Sequence, residues 1–404
     1  MNKIAAVDIR FLLLAAMLVF LPGVEALKNI FAFLFVLSWV LISKKNNYWG
    51  GKWQIIDSIF LLWILADIFV SINAVITHQL SGSNFRDVIR FVLIAWVLSR
   101  IYFPKEKLRE LALISVFATV ITLGYSYYST GGTLKELHSV GHINHTAIFL
   151  VIAYSISLSL FLFDFHNLQK YQKIILFLTT IVLFYATVDT DSRAAFGLII
   201  IISLFDMICL LLRNRKLSTF LLLFGLVSCF GVFFIHNSPI ALDRILAKDH
   251  ILKDDTRDRI RNFSYYAFKT NPLFGIGFGN YGQIKIEDIK AKIIKDKGAF
   301  NVPILQGSHP HNVYYNYLLS GGLLIFSIFL WFWFYIVWII FKLRSTKEND
   351  WIVLSSISVL LINLGIGWVN TTLHHEHAIL SMVVIGMLIS EYRRVGHKRS
   401  LHEP

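Results

Sequence analysis

Charge, proline and cysteine are all scarce in this chain. Of its 404 residues, 16% are Asp, Glu, Lys or Arg, 7 are proline and 2 are cysteine. So little charge, with 56% hydrophobic residues and a mean hydropathy of +0.63, excludes a soluble single-core protein. Cys209 and Cys229 both fall inside apolar runs, so they read as buried thiols and no disulfide framework is drawn. The short alternating segments of a transmembrane β-barrel are missing. No internal repeat and no low-complexity linker interrupts the chain. The net charge of +13 does not point to nucleic acid, because the basic residues lie between the apolar runs.

What is present is a series of long apolar runs. A hydrocarbon slab of ~30 Å needs about 17–25 such residues per helix, and lipid requires each spanning backbone to satisfy its own hydrogen bonds. About twelve spans are expected. They lie near 10–23, 27–43, 54–77, 86–103, 109–128, 145–165, 173–188, 194–212, 217–235, 313–341, 351–370 and 377–392. Pro22-Gly23 between the first two reads as a helix-hairpin turn rather than the end of a leader.

With the N-terminus inside, even-numbered spans deliver their basic residues to the cytoplasm. These include Lys44, Lys45, Lys52, Arg100, Lys105, Arg109, Lys170, Lys173, Arg213, Arg215, Lys342, Arg344, Arg393 and Arg394. The opposite short loops hold few, mainly Arg86, Lys135 and Arg193. This is the positive-inside pattern, and it puts both termini in the cytoplasm. The fold class is therefore all-α and polytopic: residues 1–404 form one integral membrane domain, and residues 236–312 form one large outer loop containing helices. That loop is basic, but long loops cross largely regardless of charge, and a long connection is more often functional than idle.

Several stretches in and around the loop carry possible chemistry. Asp254-Asp255-Thr256 reads as a helix start, Ile260, Phe263 and Ala267 as its apolar face, and Asn271-Pro272 as its end. Arg257 and Arg261 share a face of this helix, while Arg259 points elsewhere. They either meet water and Asp258 or hold an anion. Gly275-Ile276-Gly277-Phe278-Gly279 reads as a tight turn; it lacks the spacing of a dinucleotide fingerprint and the Gly-Lys-Ser/Thr ending of a P-loop. Ile284–Phe300 reads as an amphipathic helix with Ile286, Ile289, Ile293 and Ile294 on one side, either packed on the bundle or lying in the interface as a lid.

Arg193 stands at the outer start of span eight, where it either pairs with Asp189 or Asp191 or holds an anion. His311 is expected at the outer start of span ten, where an imidazole is a natural proton acceptor at neutral pH. Pro310 restricts His309, and Asn312, Tyr314, Tyr315, Asn316 and Tyr317 form a polar, aromatic wall suited to a sugar. A lone interface histidine is commonly filler; three cations meeting at one boundary favour a site. His374-His375-Glu376-His377 invites a zinc reading, but HExxH is absent and three ligands this close in sequence rarely close a tetrahedron alone, so no metal is assigned. Asp67 and Asp206 lie within spans three and eight, which keeps a lipid or glycan transporter open as an alternative.

Ser192-Arg193 at a span start, Thr256-Arg257 followed by a helix and NPLFGIGFGNY, and His311-Asn312 with Gly321 and Gly322 beyond resemble the bacterial O-antigen ligases. Their superfamily also holds O-antigen polymerases and some protein O-oligosaccharyltransferases. Two positions depart from that pattern: Gly197 stands where a leucine is common, and Ile325 where a glycine is expected.

The resemblance implies a glycosyltransferase at the periplasmic face of the bacterial inner membrane, acting in lipopolysaccharide biosynthesis, with residues 236–312 as a large periplasmic loop carrying part of the active site. It would move a glycan from undecaprenyl diphosphate to a sugar hydroxyl of lipid A-core, with inversion and without metal or other cofactor. His311 would be the catalytic base. Arg193, Arg257 and Arg261 would bind the diphosphate, and Asn312, Tyr315 and His309 the substrate. A polymerase joining lipid-linked repeat units is the nearest alternative.

Overall fold

The computed structural model describes residues 8–78, 80, 85–132, 136–214, 255–307, 309–343 and 350–400. Among the described residues the secondary structure is helical, with no strands. The helices are α1 (Ile9–Phe20), α2 (Glu25–Asn46), α3 (Ile55–His78), α4 (Phe85–Ser99), α5 (Lys105–Ser129), α6 (Ile143–Phe163), α7 (Lys170–Asp189) and α8 (Arg193–Asn214). They continue as α9 (Asp255–Phe268), α10 (Ile286–Lys297), α11 (Val313–Leu343), α12 (Asp350–Gly365) and α13 (His375–Ser400). Eleven of the expected spans coincide with helices; the one near 217–235 and Cys229 lie outside the described residues. Cys209, expected to be buried, is half-buried.

Eight of these helices are long and apolar enough to cross a membrane: α2, α3, α5, α6, α7, α8, α11 and α12. Among the described residues, length and composition alone thus account for eight of the about twelve expected spans. α1 has 12 residues and α4 has 15, too short at 1.5 Å per residue to cross ~30 Å. The first turn of α13 carries His375, Glu376 and His377, which dilutes its apolar run. Between α1 and α2, Leu21–Gly23 makes the expected turn, and the two helices pack as a hairpin.

Burial follows the apolar pattern of each helix. α6 is apolar on all sides and is enclosed by α5, α7, α8, α12 and α13. α2 turns Ile30, Phe33 and Leu41 outward, where lipid would receive them.

Ion pairs identify two ends of the bundle. At one end Asp57, fully buried at the start of α3, accepts from Arg100 Nε at 2.8 Å, Arg393 Nη2 at 2.7 Å and Trp96 Nε1 at 2.8 Å. Arg109 pairs with Asp164 at 3.1 Å, and Arg213 with Asp350. The helix ends that these pairs join are those that the charge alternation assigns to one side. The opposite end carries His311.

α11 breaks at Gly322, whose φ of 60° and ψ of −160° suit glycine alone. The carbonyls of Leu319 and Ser320 accept from the amides of Ile276 (2.9 Å) and Gly277 (2.8 Å). The amides of Leu323 and Leu324 donate to the carbonyls of Pro272 (2.8 Å) and Leu273 (3.2 Å). Segment 272–277 thus plugs into the helix, supplying the backbone partners that the break removes. Gly322 lies roughly 14 Å along the axis from Val313, a depth at which open backbone is tolerated only inside protein. A Cβ on Gly275 would meet the Leu319 carbonyl oxygen at 2.4 Å, and one on Gly322 would meet Leu273 at 2.3 Å. The Gly275, Gly277 and Gly279 turn is confirmed, with positive φ at all three.

Candidate functional site

α9 begins at Asp255 as expected, and buries Ile260, Phe263 and Ala267. Phe263 packs its ring against Tyr281 at 5.6 Å, and α9 lies against the top of α11. α10 covers this contact with Ile289 and Ile293, which are buried against Phe263, Tyr266, Tyr281 and Leu319. Ile294, expected on the same apolar side, is exposed instead, so the buried stripe is narrower than the sequence suggested. The chain then returns through Gln306, whose amide donates to the carbonyls of Tyr281 (3.1 Å) and Ile284 (2.9 Å), and arrives at His309.

The turn from His309 to Asn312 is tightly fixed. Pro310 and Asn312 are buried, and the rings of His309 and His311 lie 4.0 Å apart. Asn312 caps α11: its Oδ1 accepts from the Tyr315 amide at 3.0 Å, and its Nδ2 donates to the Trp368 carbonyl at 2.9 Å. Tyr314 donates to the Leu364 carbonyl at 2.8 Å. His311 itself is half-buried and has φ of 49°, in the left-handed region that costs a non-glycine residue roughly 1–2 kcal/mol. Such strain persists only where neighbours over-determine it, and the cap on its C-terminal side does so here. Burial, helped by the neighbouring His311, pushes His309 down to about 4, so its imidazole is neutral at physiological pH.

Two cavities adjoin this turn. The larger, about 440 Å³, is lined by Arg261, Tyr265, Asn312, Tyr315 and Trp368 among others. It lies in the range of small-molecule sites. The smaller, about 180 Å³, is lined by His309, Pro310, Asn316, Ser320, Asp87 and His374 among others. The first turn of α11 therefore presents Tyr315 to one cavity and Asn316 to the other.

The structure gathers some of the expected site residues more closely than others. Arg261, Asn312 and Tyr315 share the larger cavity, and His309 and His311 are in ring contact. Arg261 is also paired with Asp258 one turn earlier on an exposed face. Arg257 is exposed one turn before Arg261, and Arg259 is half-buried with its carbonyl held by the Leu305 amide at 3.1 Å. Arg193 is exposed at the first position of α8. Neither Arg193 nor Arg257 lines the larger cavity. α8 nevertheless reaches the same end: a methyl built on Gly365 would lie 3.8 Å from Leu198, beside the Ile366–Trp368 turn that borders the cavity. Asp189, a possible partner for Arg193, instead accepts from the Tyr127 hydroxyl at 2.6 Å.

Two acids lie within transmembrane helices. Asp67 is buried in α3 with no hydrogen-bond partner among the described residues, and Asp206 is buried in α8, accepting from Ser159 at 3.2 Å.

Residues 178–330 match the family model described as O-antigen ligase. The match supports membership of the O-antigen ligase superfamily. It spans the end of α7, all of α8, α9 and α10, and the broken half of α11. Arg193, Arg257, Arg261, His309, His311, Asn312 and Tyr315 all fall within it. Comparison with curated proteins gives no match.

The sequence reading missed His142 and His145, which open α6 at this same end. His145 lies within ring contact of His309 (6.0 Å), His374 (5.3 Å), His375 (5.4 Å) and His377 (5.3 Å). Charge alternation already put the start of span six and the start of span twelve on one face; that signal could have joined the two motifs.

Proposed function

We infer that the protein is an O-antigen ligase: a glycosyltransferase that moves a glycan from undecaprenyl diphosphate to a sugar hydroxyl of lipid A-core at the periplasmic face of the inner membrane. The observation that carries this reading is the larger cavity, where Arg261 faces Asn312 and Tyr315 directly beside the strained His311. Both termini then lie in the cytoplasm.

The chemistry follows from the groups present. Guanidinium stays charged and offers paired donors that fit phosphate oxygens. Arg261, with Arg257 one turn away and Arg193 at the positive end of the α8 dipole, neutralises the diphosphate as it leaves. Removing one such donor typically costs ~3–4 kcal/mol of transition-state stabilisation. His311 accepts the acceptor-hydroxyl proton as the oxygen attacks the anomeric carbon. The bond to the diphosphate oxygen breaks in the same displacement, which inverts the carbon. Tyr315, Tyr265 and Trp368 offer flat apolar faces to sugar rings, and Tyr315 and Tyr265 add hydroxyls. Asn312, with its amide taken up by backbone at both ends, acts by aiming the turn. The bilayer holds both lipid substrates in one plane, which lowers the cost of orienting them.

The test is an assay with purified protein, undecaprenyl diphosphate-linked glycan and lipid A-core, with EDTA present. Glycan on lipid A-core is the expected product. Longer lipid-linked chains with unmodified core would instead identify a polymerase, and no product with either acceptor would reject the transferase reading.

A further inference from the structure

Outside the segment that matches the family, α6 and α13 bring three histidines together. His145 opens α6, and His374 and His375 open α13; one nitrogen from each lies within 4.8 Å of the other two. The rings of His374 and His375 are 3.5 Å apart. His145 is buried, and the Nδ1 of His374 is buried with no hydrogen-bond partner among the described residues. A buried imidazole nitrogen without a partner is costly unless something satisfies it.

The backbone here is also held against its preference. Leu373 (φ 52°) and His375 (φ 51°) flank His374 in the left-handed region. Two non-glycine residues in that conformation cost roughly 1–2 kcal/mol each, and between them the His374 ring lies 5.3 Å from that of His145. Glu376 does not share the cluster. It forms a buried ion pair with Lys28, which also donates to Ser139 at 2.9 Å, and this pins the start of α13 to α2. Arg90, a second cation near the cluster, is paired with Asp87 at 2.8 Å. Lys28 and Arg90 are therefore each matched locally, and the smaller cavity, lined by Asp87 and His374, reaches the cluster.

We propose that His145, His374 and His375 form a binding site for a divalent transition-metal ion of the zinc class, next to the transfer site but outside its chemistry. Three neutral imidazoles with no carboxylate or thiolate suit Zn²⁺, Cu²⁺ or Ni²⁺ rather than Mg²⁺ or Ca²⁺. A tetrahedral site with Zn–N of about 2.0–2.1 Å needs nitrogens roughly 3.3 Å apart, so binding requires the three rings to draw in from their present spacing of up to 4.8 Å. Water completes the shell. The ion would tie α6 to α13 across the end of the bundle and satisfy the buried nitrogen of His374.

The experiment uses untagged, full-length, metal-free protein in detergent, titrated with Zn²⁺ and separately with Co²⁺. The wild type is expected to take up about one ion per chain, with the Co²⁺ absorption of a four-coordinate nitrogen site. His145→Ala and His374→Ala should each weaken uptake by at least about tenfold, while His166→Ala at the opposite end leaves it unchanged. Absence of saturable uptake by the wild type, or unaltered uptake by a variant carrying both His145→Ala and His374→Ala, overturns the proposal. Should the alanine variants fail to fold, X-ray absorption at the zinc edge of the wild type decides: imidazole shells support the site, and an oxygen-only shell overturns it. None of these readouts depends on glycan transfer, so the site and the proposed activity stand or fall separately.

Discussion

At one end of the bundle Asp57 collects Arg100, Arg393 and Trp96 in full burial; at the other, Arg193 stands exposed at the start of α8 and Arg261 lines an open cavity. Both ends are rich in cations. At the first, carboxylates from other helices neutralise the guanidinium groups and link α3, α4 and α13. At the second, left-handed backbone accumulates at His311, Leu373 and His375, and histidines pack ring against ring. Left-handed backbone also occurs at Asn47, but there it only ends α2, a routine place for it. Matched charge holds helices together at both ends, Lys28 with Glu376 at the second; what the second end adds is exposed arginine at Arg193 and Arg257 beside strained backbone, which suits an anionic substrate.

Four substitutions would break or sharpen this contrast. His311→Ala is expected to have the largest effect, lowering transfer by roughly 10²–10⁴-fold, the range of a lost general base, with the folded protein retained in the membrane. Comparing product formation with the folded fraction in detergent separates the two. Asp57→Ala should do the reverse: it leaves two buried guanidinium groups without their carboxylate and destabilises by about 3–5 kcal/mol, read as a lower midpoint of thermal unfolding, with activity per folded molecule preserved. If Asp57→Ala abolished transfer in folded protein, the division between the two ends would fail.

Gly322→Ala tests the plug between the outer segment and α11. Its backbone conformation alone costs about 1–3 kcal/mol in alanine, and the new Cβ collides with Leu273. Both stability and transfer should fall, because segment 272–277 and α9 lose their seat together. Asp67→Asn should have the smallest effect: an isosteric change at a carboxyl with no partner is expected to stay within about 1 kcal/mol in stability and to leave transfer intact. Loss of function in Asp67→Asn with His311→Ala unaffected would favour a transporter.

Much of the frame could be read from the sequence because lipid imposes local rules. Apolar length and basic flanks are properties of adjacent residues, and the helices match the expected spans wherever they are described. The start and stop of α9 were legible for the same reason: Asp255, Thr256 and Asn271-Pro272 act on their own neighbourhood. The break in α11 was not. Gly321-Gly322 in isolation reads as a pair of small residues; its meaning depends on backbone from residues 272–277. The pairing of Asp57 with Arg393 and the meeting of His145 with His374 were hidden similarly, since each depends on helices far apart in sequence. Asn312 was legible as part of the site, but its role as a cap that aims His311 required the Trp368 carbonyl to be seen beside it.

The central claim is that the leaving diphosphate is held at the His311 end, by the arginines of α8 and α9. A structure determined with undecaprenyl diphosphate bound tests it most directly. The account predicts phosphate oxygens against Arg261, with Arg193 or Arg257 completing the clamp and the His311 imidazole facing the site of attack. Phosphates bound at the Asp57 end, or a bound diphosphate that touches none of these arginines, would contradict it.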